Sequence, residues 1–388
     1  MKVLKICIGT WVNASRDKRE LSVVQELGHE VEVIAKGDVS GQIDMVDGFK
    51  VTRLSSRPLG ENVPVTLNRM LSMFTWAAYI RKRNDIDVIS GHDYLALTIG
   101  WMSNVGKRKK AKLVYDSHEF ELGRNTKRSK LAYWTVCHWE RFLMKRCAFS
   151  IMVNDVIADE VQRIHKLKER PIVVRSTPPY WELDEKSIQE TRKMLCAKMG
   201  VPENNFLLMY HGQVTNDRGI EQLFQVLSHV SNCACVILGN ADSEQYVKSL
   251  YELATSLGIA DRVLFHPAVS MQVLRNYVGA ADVGTIVAPS NFKSYYYSLP
   301  NKFFENIQSE TPVVVSDFPE MGRIIDMYQI RLKIDPDNLQ EIAGAICRMR
   351  DDKAFYQSCK ENIKKAKTDL CWENEKKALQ EAYRRIFK

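Results

Sequence analysis

The sequence predicts an α/β chain of two doubly wound domains, and three observations carry that expectation. Short apolar runs that suit buried parallel strands alternate with amphipathic helical segments, once before and once after residue 180. A length of 388 residues exceeds what one core ordinarily fills. Between the two series, Ser176-Thr177-Pro178-Pro179-Tyr180-Trp181 carries two prolines that prevent either half from extending through it. The expected domains are therefore residues 1–178 and 183–371, followed by a last helix at 372–388.

In order, residues 3–8 form an apolar strand that stops at Gly9-Thr10, and a helix patterned on Leu21, Val24 and Leu27 closes at Gly28. Strands at 31–35 and 49–54 follow, and strand–helix–strand order requires a right-handed crossover and a parallel sheet. Residues 66–83 read as a core helix ending on Arg81, Lys82 and Arg83; the alternative is a helix lying in a lipid surface. Strands at 87–90 and 111–115 run into Gly91-His92-Asp93 and Asp116-Ser117-His118-Glu119. Ligands of open α/β sheets gather outside the carboxyl ends of strands, so both His-acid pairs fall where chemistry occurs. A helix through Trp134, Trp139 and Leu143, a strand at 150–153, a helix and a strand at 172–174 complete the first half.

The second half repeats the pattern. Strand 206–210 leads through a turn, 211–218, to a helix on Ile220, Leu223 and Leu227, and then to strand 235–238 with Gly239 at its end. Helix 243–257, strand 263–265, helix 270–279 and strand 282–286 precede the densest stretch, YYYSLPNKFFENIQSETPVVVSD at 295–317. There Pro300 suits a first helical turn, Phe303, Phe304 and Ile307 make a buried stripe, Thr311-Pro312 ends the helix, and 312–315 is a buried strand. A loop feeding a helix N-terminus beside such a sheet is an anion site. Glu305 stands out, because burying a carboxylate is costly unless something binds it. Helices near 338–350 and 352–366 close the second half.

Net charge is +8 and uneven: residues 1–180 hold 30 Lys+Arg against 20 Asp+Glu, and residues 181–388 hold 25 against 27. The excess clusters at Arg81-Lys82-Arg83, Lys107 to Lys110 and Arg124 to Lys130. Such runs make a solvated face or meet anionic lipid, and no nucleic-acid signature accompanies them. No apolar run approaches the ~20 residues of a membrane span, and MKVLKICIG reads as a first strand, not a signal peptide. Nine cysteines without paired spacings indicate reduced thiols and a cytoplasmic protein. Cys233 and Cys235 should share one sheet face. Asp85-Ile86-Asp87 and Asp335-Pro336-Asp337 have a metal-binding spacing but sit before a strand and at a helix start, so no metal is expected.

Together SLPNKFFENIQSETPVVVSD, DVISGHD, LVYDSHEF, YHGQVTNDRGIEQL and DVGTIVAP resemble glycosyltransferase family 4 of the GT-B fold, the retaining nucleotide-sugar enzymes, over nearly the whole chain. The resemblance implies two Rossmann-like domains facing across a cleft, the donor on the second, the acceptor on the first, and helix 372–388 crossing back. Glu305 matches the family's ribose-binding Glu, whose partner Glu eight positions earlier is Tyr297 here, while Pro300 replaces a glycine. Leu299 and Asn301 remain phosphate candidates, with Gly212, Gln213 and Gly239 also on the donor side. Arg218 matches a diphosphate-gripping cation; Gln213 stands where relatives place a second, and Lys302 is the candidate substitute. Gly9 and Thr10 through Arg16 match a first-domain loop that covers the phosphates, with Arg16 reaching acceptor or phosphate. His92 matches a histidine near the anomeric carbon, and His118 with Glu119 a common HE pair.

The implied activity is transfer of a hexosyl unit, with retention, from a nucleotide-diphosphate sugar to a hydroxyl of a glycan or lipid-linked glycan, in polysaccharide biosynthesis. It needs no metal or cofactor, and the protein would sit in the cytoplasm, peripheral to an anionic membrane. Tyr297, Pro300 and Gln213 keep two alternatives open: a nucleotide-sugar epimerase or hydrolase on the same scaffold, and a non-catalytic degenerate transferase.

Overall fold

The computed structural model describes residues 1–11, 14–124, 128–289, 293–330 and 332–388. They form two units, Met1–Arg175 with Glu375–Lys388, and Ser176–Asn374.

Unit 1 contains β1 (Lys2–Cys7), α1 (Ser15–Glu26), β2 (Glu30–Gly37), β3 (Ile43–Val46), β4 (Phe49–Ser55), α2 (Val65–Arg81), β5 (Val88–Gly91), α3 (Tyr94–Asn104), β6 (Lys112–Asp116), α4 (Lys130–Met144), β7 (Cys147–Met152), α5 (Asp155–His165) and β8 (Ile172–Val173). The sheet order is β3-β4-β2-β1-β5-β6-β7-β8. Every pairing is parallel except the β3–β4 hairpin. That hairpin turns on Asp47 and Gly48, at φ of 50° and 80°, as the Asp-Gly pair favours. Sequence reasoning left β3 out although this signal was present, because Ile43–Val46 is a short, half-exposed edge strand with little apolar pattern.

Unit 2 contains α6 (Glu185–Met199), β9 (Phe206–His211), α7 (Ile220–His229), β10 (Cys233–Leu238), α8 (Glu244–Ser256), β11 (Val263–His266), α9 (Met271–Gly279), β12 (Val283–Ile286), α10 (Lys293–Tyr296), α11 (Asn301–Gln308), β13 (Val313–Ser316), α12 (Pro319–Tyr328), β14 (Lys333–Ile334), α13 (Leu339–Asp351) and α14 (Lys353–Asp369). Its six strands run β11-β10-β9-β12-β13-β14, all parallel. Cys233 and Cys235 enter the core on one face of β10 and Ala234 the core on the other. All nine cysteines are free thiols.

The last helix, α15 (Trp372–Phe387), begins in unit 2 and from Glu375 onward belongs to unit 1. There Arg175 donates to Glu375 at 2.8 Å, and the buried Tyr383 hydroxyl donates to Glu20 at 2.6 Å.

Candidate active site

In unit 2 the carboxyl ends of β9, β10 and β12 converge on two close backbone approaches. A Cβ at Gly239 would collide with the Gly212 carbonyl, so only glycine lets those two loops meet. Gly219 caps α7 at φ +78°, and a Cβ there would strike the Val287 carbonyl. This turn places Arg218 directly before the helix. Beside it, α11 buries Phe303, Phe304 and Ile307 and starts one residue after Pro300, which is its N-cap and not part of its first turn.

A cavity of about 400 Å³ lies at this edge, with His211, Gly212, Gln213, Gly239 and Glu305 in its wall. The His211 Nε2–H donates to Glu305 Oε2 at 2.9 Å. Thus one carboxylate oxygen is fixed by the protein, and Oε1 has no protein partner among the described residues. Sequence reasoning missed His211 as a partner of Glu305. The signal was its place at the end of β9, next to the glycine turn.

Two cations stand nearby without an ion-pair partner among the described residues. The Arg218 guanidinium carbon lies 5.0 Å from the centroid of the Tyr295 ring, and its Nε is buried with no acceptor. The Lys302 ammonium lies 4.1 Å from the centroid of the Tyr210 ring. Burial, reinforced by Arg218, pushes the Lys302 pKa down to about 7, and Glu305 opposes this only in part.

Other candidates in this unit are placed differently from expectation. Gln213 donates its side-chain amide to Asp242, in the cavity wall, and offers no charge. The Leu299 side chain is buried in the core with Phe303 and Phe304, so it could meet phosphate only through its main chain. Asn301 is exposed at the start of α11, and Tyr297 is half-buried against Tyr296. Asp242, Ala268 and Val269 also line the cavity and carried no sequence signal, because nothing in their local pattern distinguishes them from ordinary loop residues.

In unit 1 the carboxyl ends of β1, β5 and β6 hold a closed charge network. The fully buried Lys5 ammonium meets Asp17 at 2.9 Å, Asp116 at 3.4 Å and Glu20, while Ser90 donates to Glu20 at 2.9 Å. Burial resists charging here, but three carboxylates overcome it and hold Lys5 above its usual range. Arg16 corrects an expectation. It sits within α1, not in a covering loop, and is spent on Asp116 at 2.9 Å and the Val174 carbonyl at 2.8 Å. Val12 and Asn13 of the expected loop fall outside the described residues, while Gly9 and Thr10 are exposed.

His118 lies 3.1 Å from Asp116 and 3.4 Å from Asp17; burial opposes its charge, yet these carboxylates push it up to about 9. It therefore behaves as a structural imidazolium, and Glu119 turns away to Arg124 at 3.1 Å. Among the described residues the one grouping able to offer three metal ligands is Asp17, Asp116 and His118, and Lys5 and Arg16 already fill it with positive charge. His92 remains half-buried at the end of β5, its Nδ1 3.2 Å from the Ile6 carbonyl and its ring 5.4 Å from that of His118. Asp93, its sequence neighbour, is the N-cap of α3 and accepts from Ala96 N–H at 2.7 Å.

Two doubly wound units of this kind make the GT-B fold, and solved structures share it. Over the full chain the fold resembles Anabaena HepE crystallised with UDP (TM-score 0.77, 15% identity, 100% of both chains). It also resembles sucrose-phosphate synthase of Thermosynechococcus elongatus (TM-score 0.79, 16% identity, 100% of this chain and 99% of that one). The family models described as glycosyl transferases group 1 and glycosyltransferase family 4 match residues 192–366 and 22–177. The chain belongs to these GT-B, family 4-like glycosyltransferases. Among curated relatives, an uncharacterised glycosyltransferase of Methanocaldococcus jannaschii is 24% identical over 92% of this chain and 90% of its own. A D-inositol 3-phosphate glycosyltransferase of Xylanimonas cellulosilytica is 26% identical over 69% of this chain and 67% of its own.

Proposed function

We propose that this glycosyltransferase moves a hexosyl unit from a nucleoside-diphosphate sugar to a hydroxyl of a glycan or lipid-linked glycan, with retention at the anomeric carbon. One observation carries the reading: a carboxylate with one open oxygen, Glu305, lies beside two unneutralised cations, Arg218 and Lys302. Glu305 Oε1 accepts from ribose hydroxyls, while Arg218 and Lys302 face the diphosphate. As the anomeric C–O bond breaks, negative charge grows on the leaving phosphate, and cations fixed there lower the barrier. The acceptor oxygen bonds to the anomeric carbon on the same face, and its proton passes to the leaving phosphate. Both carboxylates lining the cavity hold protein partners, Glu305 with His211 and Asp242 with Gln213, which argues against either as a covalent nucleophile. The two cations make a divalent ion unnecessary, so activity should survive a chelator.

A thermal-shift panel of UDP-, GDP- and other nucleotide sugars tests this, because a ligand of the folded state alone raises the melting temperature. Product analysis with and without acceptor separates transfer from epimerisation or hydrolysis. A chain that neither binds nor consumes any nucleotide sugar would end the reading.

We also place the protein on an anionic membrane surface, on the strength of α2. Leu67, Met70 and Phe74 are 52%, 59% and 57% exposed on its outer face, while Asn68, Ser72 and Trp76 face inward. This apolar outer stripe is what an interfacial helix presents, and the Lys107–Lys110 run lies at its end, where Lys107 donates to the Arg83 carbonyl. Among the described residues no helix is long and apolar enough to cross a membrane. Loss of phosphatidylglycerol-vesicle binding in Phe74→Glu is expected, and equal binding by that variant would remove α2 from the contact.

A further inference from the structure

Lys302 stands on the second residue of α11, yet its ammonium is held from below by a residue of β9. Tyr210 is 2% exposed, and its ring lies 4.1 Å from Lys302 Nζ. Its hydroxyl donates to the Gln213 carbonyl at 2.6 Å, so one side chain ties the ammonium to the glycine turn of the cavity wall. We infer that Tyr210 is a positioning residue of the donor site: its ring holds the Lys302 ammonium in place without neutralising it, and its hydroxyl fixes the Gly212-Gln213 turn beside it.

The choice of an aromatic ring over a carboxylate matters chemically. A carboxylate partner would fix Lys302 equally well but would compete with the diphosphate for its charge. A ring face attracts a cation through its quadrupole and leaves all three N–H donors for a phosphate. The charged groups acting on Lys302 are Arg218, which repels it, and Glu305, which attracts it while already held by His211. Arg218 lies against Tyr295 in the same manner. The site therefore keeps two like charges close together on aromatic supports, an arrangement that a bound diphosphate relieves. Gln213, turned to Asp242, leaves the second cationic role to Lys302.

This inference rests on the donor-site reading above, and its first test does not depend on that reading. Competitive acylation of Lys302 across pH, read by mass spectrometry in the free protein, reports the ammonium's surroundings directly. In Tyr210→Leu the titration should move up by a unit or more as water replaces the ring. In Tyr210→Phe, which keeps the ring, it should stay within a few tenths. Equal shifts in the two variants, or none in either, would overturn the inference. Melting temperature confirms that both variants are folded, and the Phe variant keeps the test available if the Leu variant is not.

The second test separates phosphate positioning from general loosening. For the nucleotide that the wild-type protein binds, Tyr210→Leu should weaken the nucleoside diphosphate about tenfold and leave the nucleoside unchanged. Combination with Lys302→Met should then add little further loss, because both remove one interaction. Equal weakening of nucleoside and diphosphate, or fully additive losses, would reduce Tyr210 to a packing residue. If no nucleotide binds wild-type protein, the donor reading fails while the acylation result still decides where Tyr210 holds Lys302.

Discussion

The carboxyl edges of the two sheets are built alike and charged oppositely in purpose. In unit 1, Lys5, Arg16 and His118 are matched by Asp17, Glu20 and Asp116, and the cluster is closed. In unit 2, Arg218 and Lys302 rest on tyrosine rings and form no ion pair with a carboxylate among the described residues. The same fold edge is thus closed by its own ion pairs in one half and, on the reading proposed above, left open for an anion in the other. The difference teaches that a charged cluster at a strand end is diagnostic only once its partners are known. Paired charge is spent on the fold, and unpaired charge is available to a ligand.

Breaking the lock should have the largest effect. Lys5→Met leaves three buried carboxylates with only Arg16 and His118 to balance them, and a loss of about 3–5 kcal/mol is expected from removing one partner of a buried ion network. Chemical denaturation measures it, and a change below about 1 kcal/mol would mean that the cluster is not a lock. On the open side, Arg218→Ala should lower turnover by about 10²–10³, with a smaller change in donor affinity, as for loss of a transition-state donor. Steady-state kinetics decides, and equal losses in both would make Arg218 a binding residue only. Glu305→Ala should weaken nucleoside diphosphate binding about 10–100-fold, the range for a hydrogen bond to a charged group. Calorimetry with the wild-type ligand tests this.

Two pH experiments sharpen the contrast. On the open side, the Lys302 pKa of about 7 in the free protein means that a bound diphosphate takes up a proton above that pH. Donor affinity should be level below 7 and fall above it, by at most about tenfold per unit, and Lys302→Met should abolish the slope. In the lock, the folded-state pKa of His118 is raised to about 9, above its ordinary value of 6.5. Its contribution is fully present below pH 6.5 and is lost as pH rises through 9. It is the smallest of these effects, about 1 kcal/mol after solvent screening of a partly exposed ring. Melting temperatures of wild type and His118→Gln should converge across that window.

Much of this was legible beforehand. The parallel strands of both sheets followed from uninterrupted apolar runs such as Val313 to Val315, since strands covered on both faces have no polar side to obscure them. Glu305 and Arg218 stood out as candidates because each sits in a motif whose neighbours, Phe304 and Gly219, have compelling structural reasons to be there. Arg16 was misread because its ion pair is with Asp116, 100 residues away, and no local pattern reveals such a partner. His211 and Tyr210 were missed for a related reason. A residue at the end of a buried strand reads as core until the helix that meets it, α11, is placed above it.

The hydrogen bond from Tyr383 to Glu20 has a consequence for synthesis. It joins the last helix to the first over 363 positions, inside the buried network around Lys5. A chain emerging from the ribosome at about 5–20 residues per second presents residues 176–374 in full before it supplies Tyr383. Unit 2 can therefore complete its sheet first, while unit 1, although made earlier, gains this buried hydrogen bond only with the final residues. A premature stop in α15 before Tyr383 would then release a complete unit 2 attached to a unit 1 that lacks its bond to Glu20.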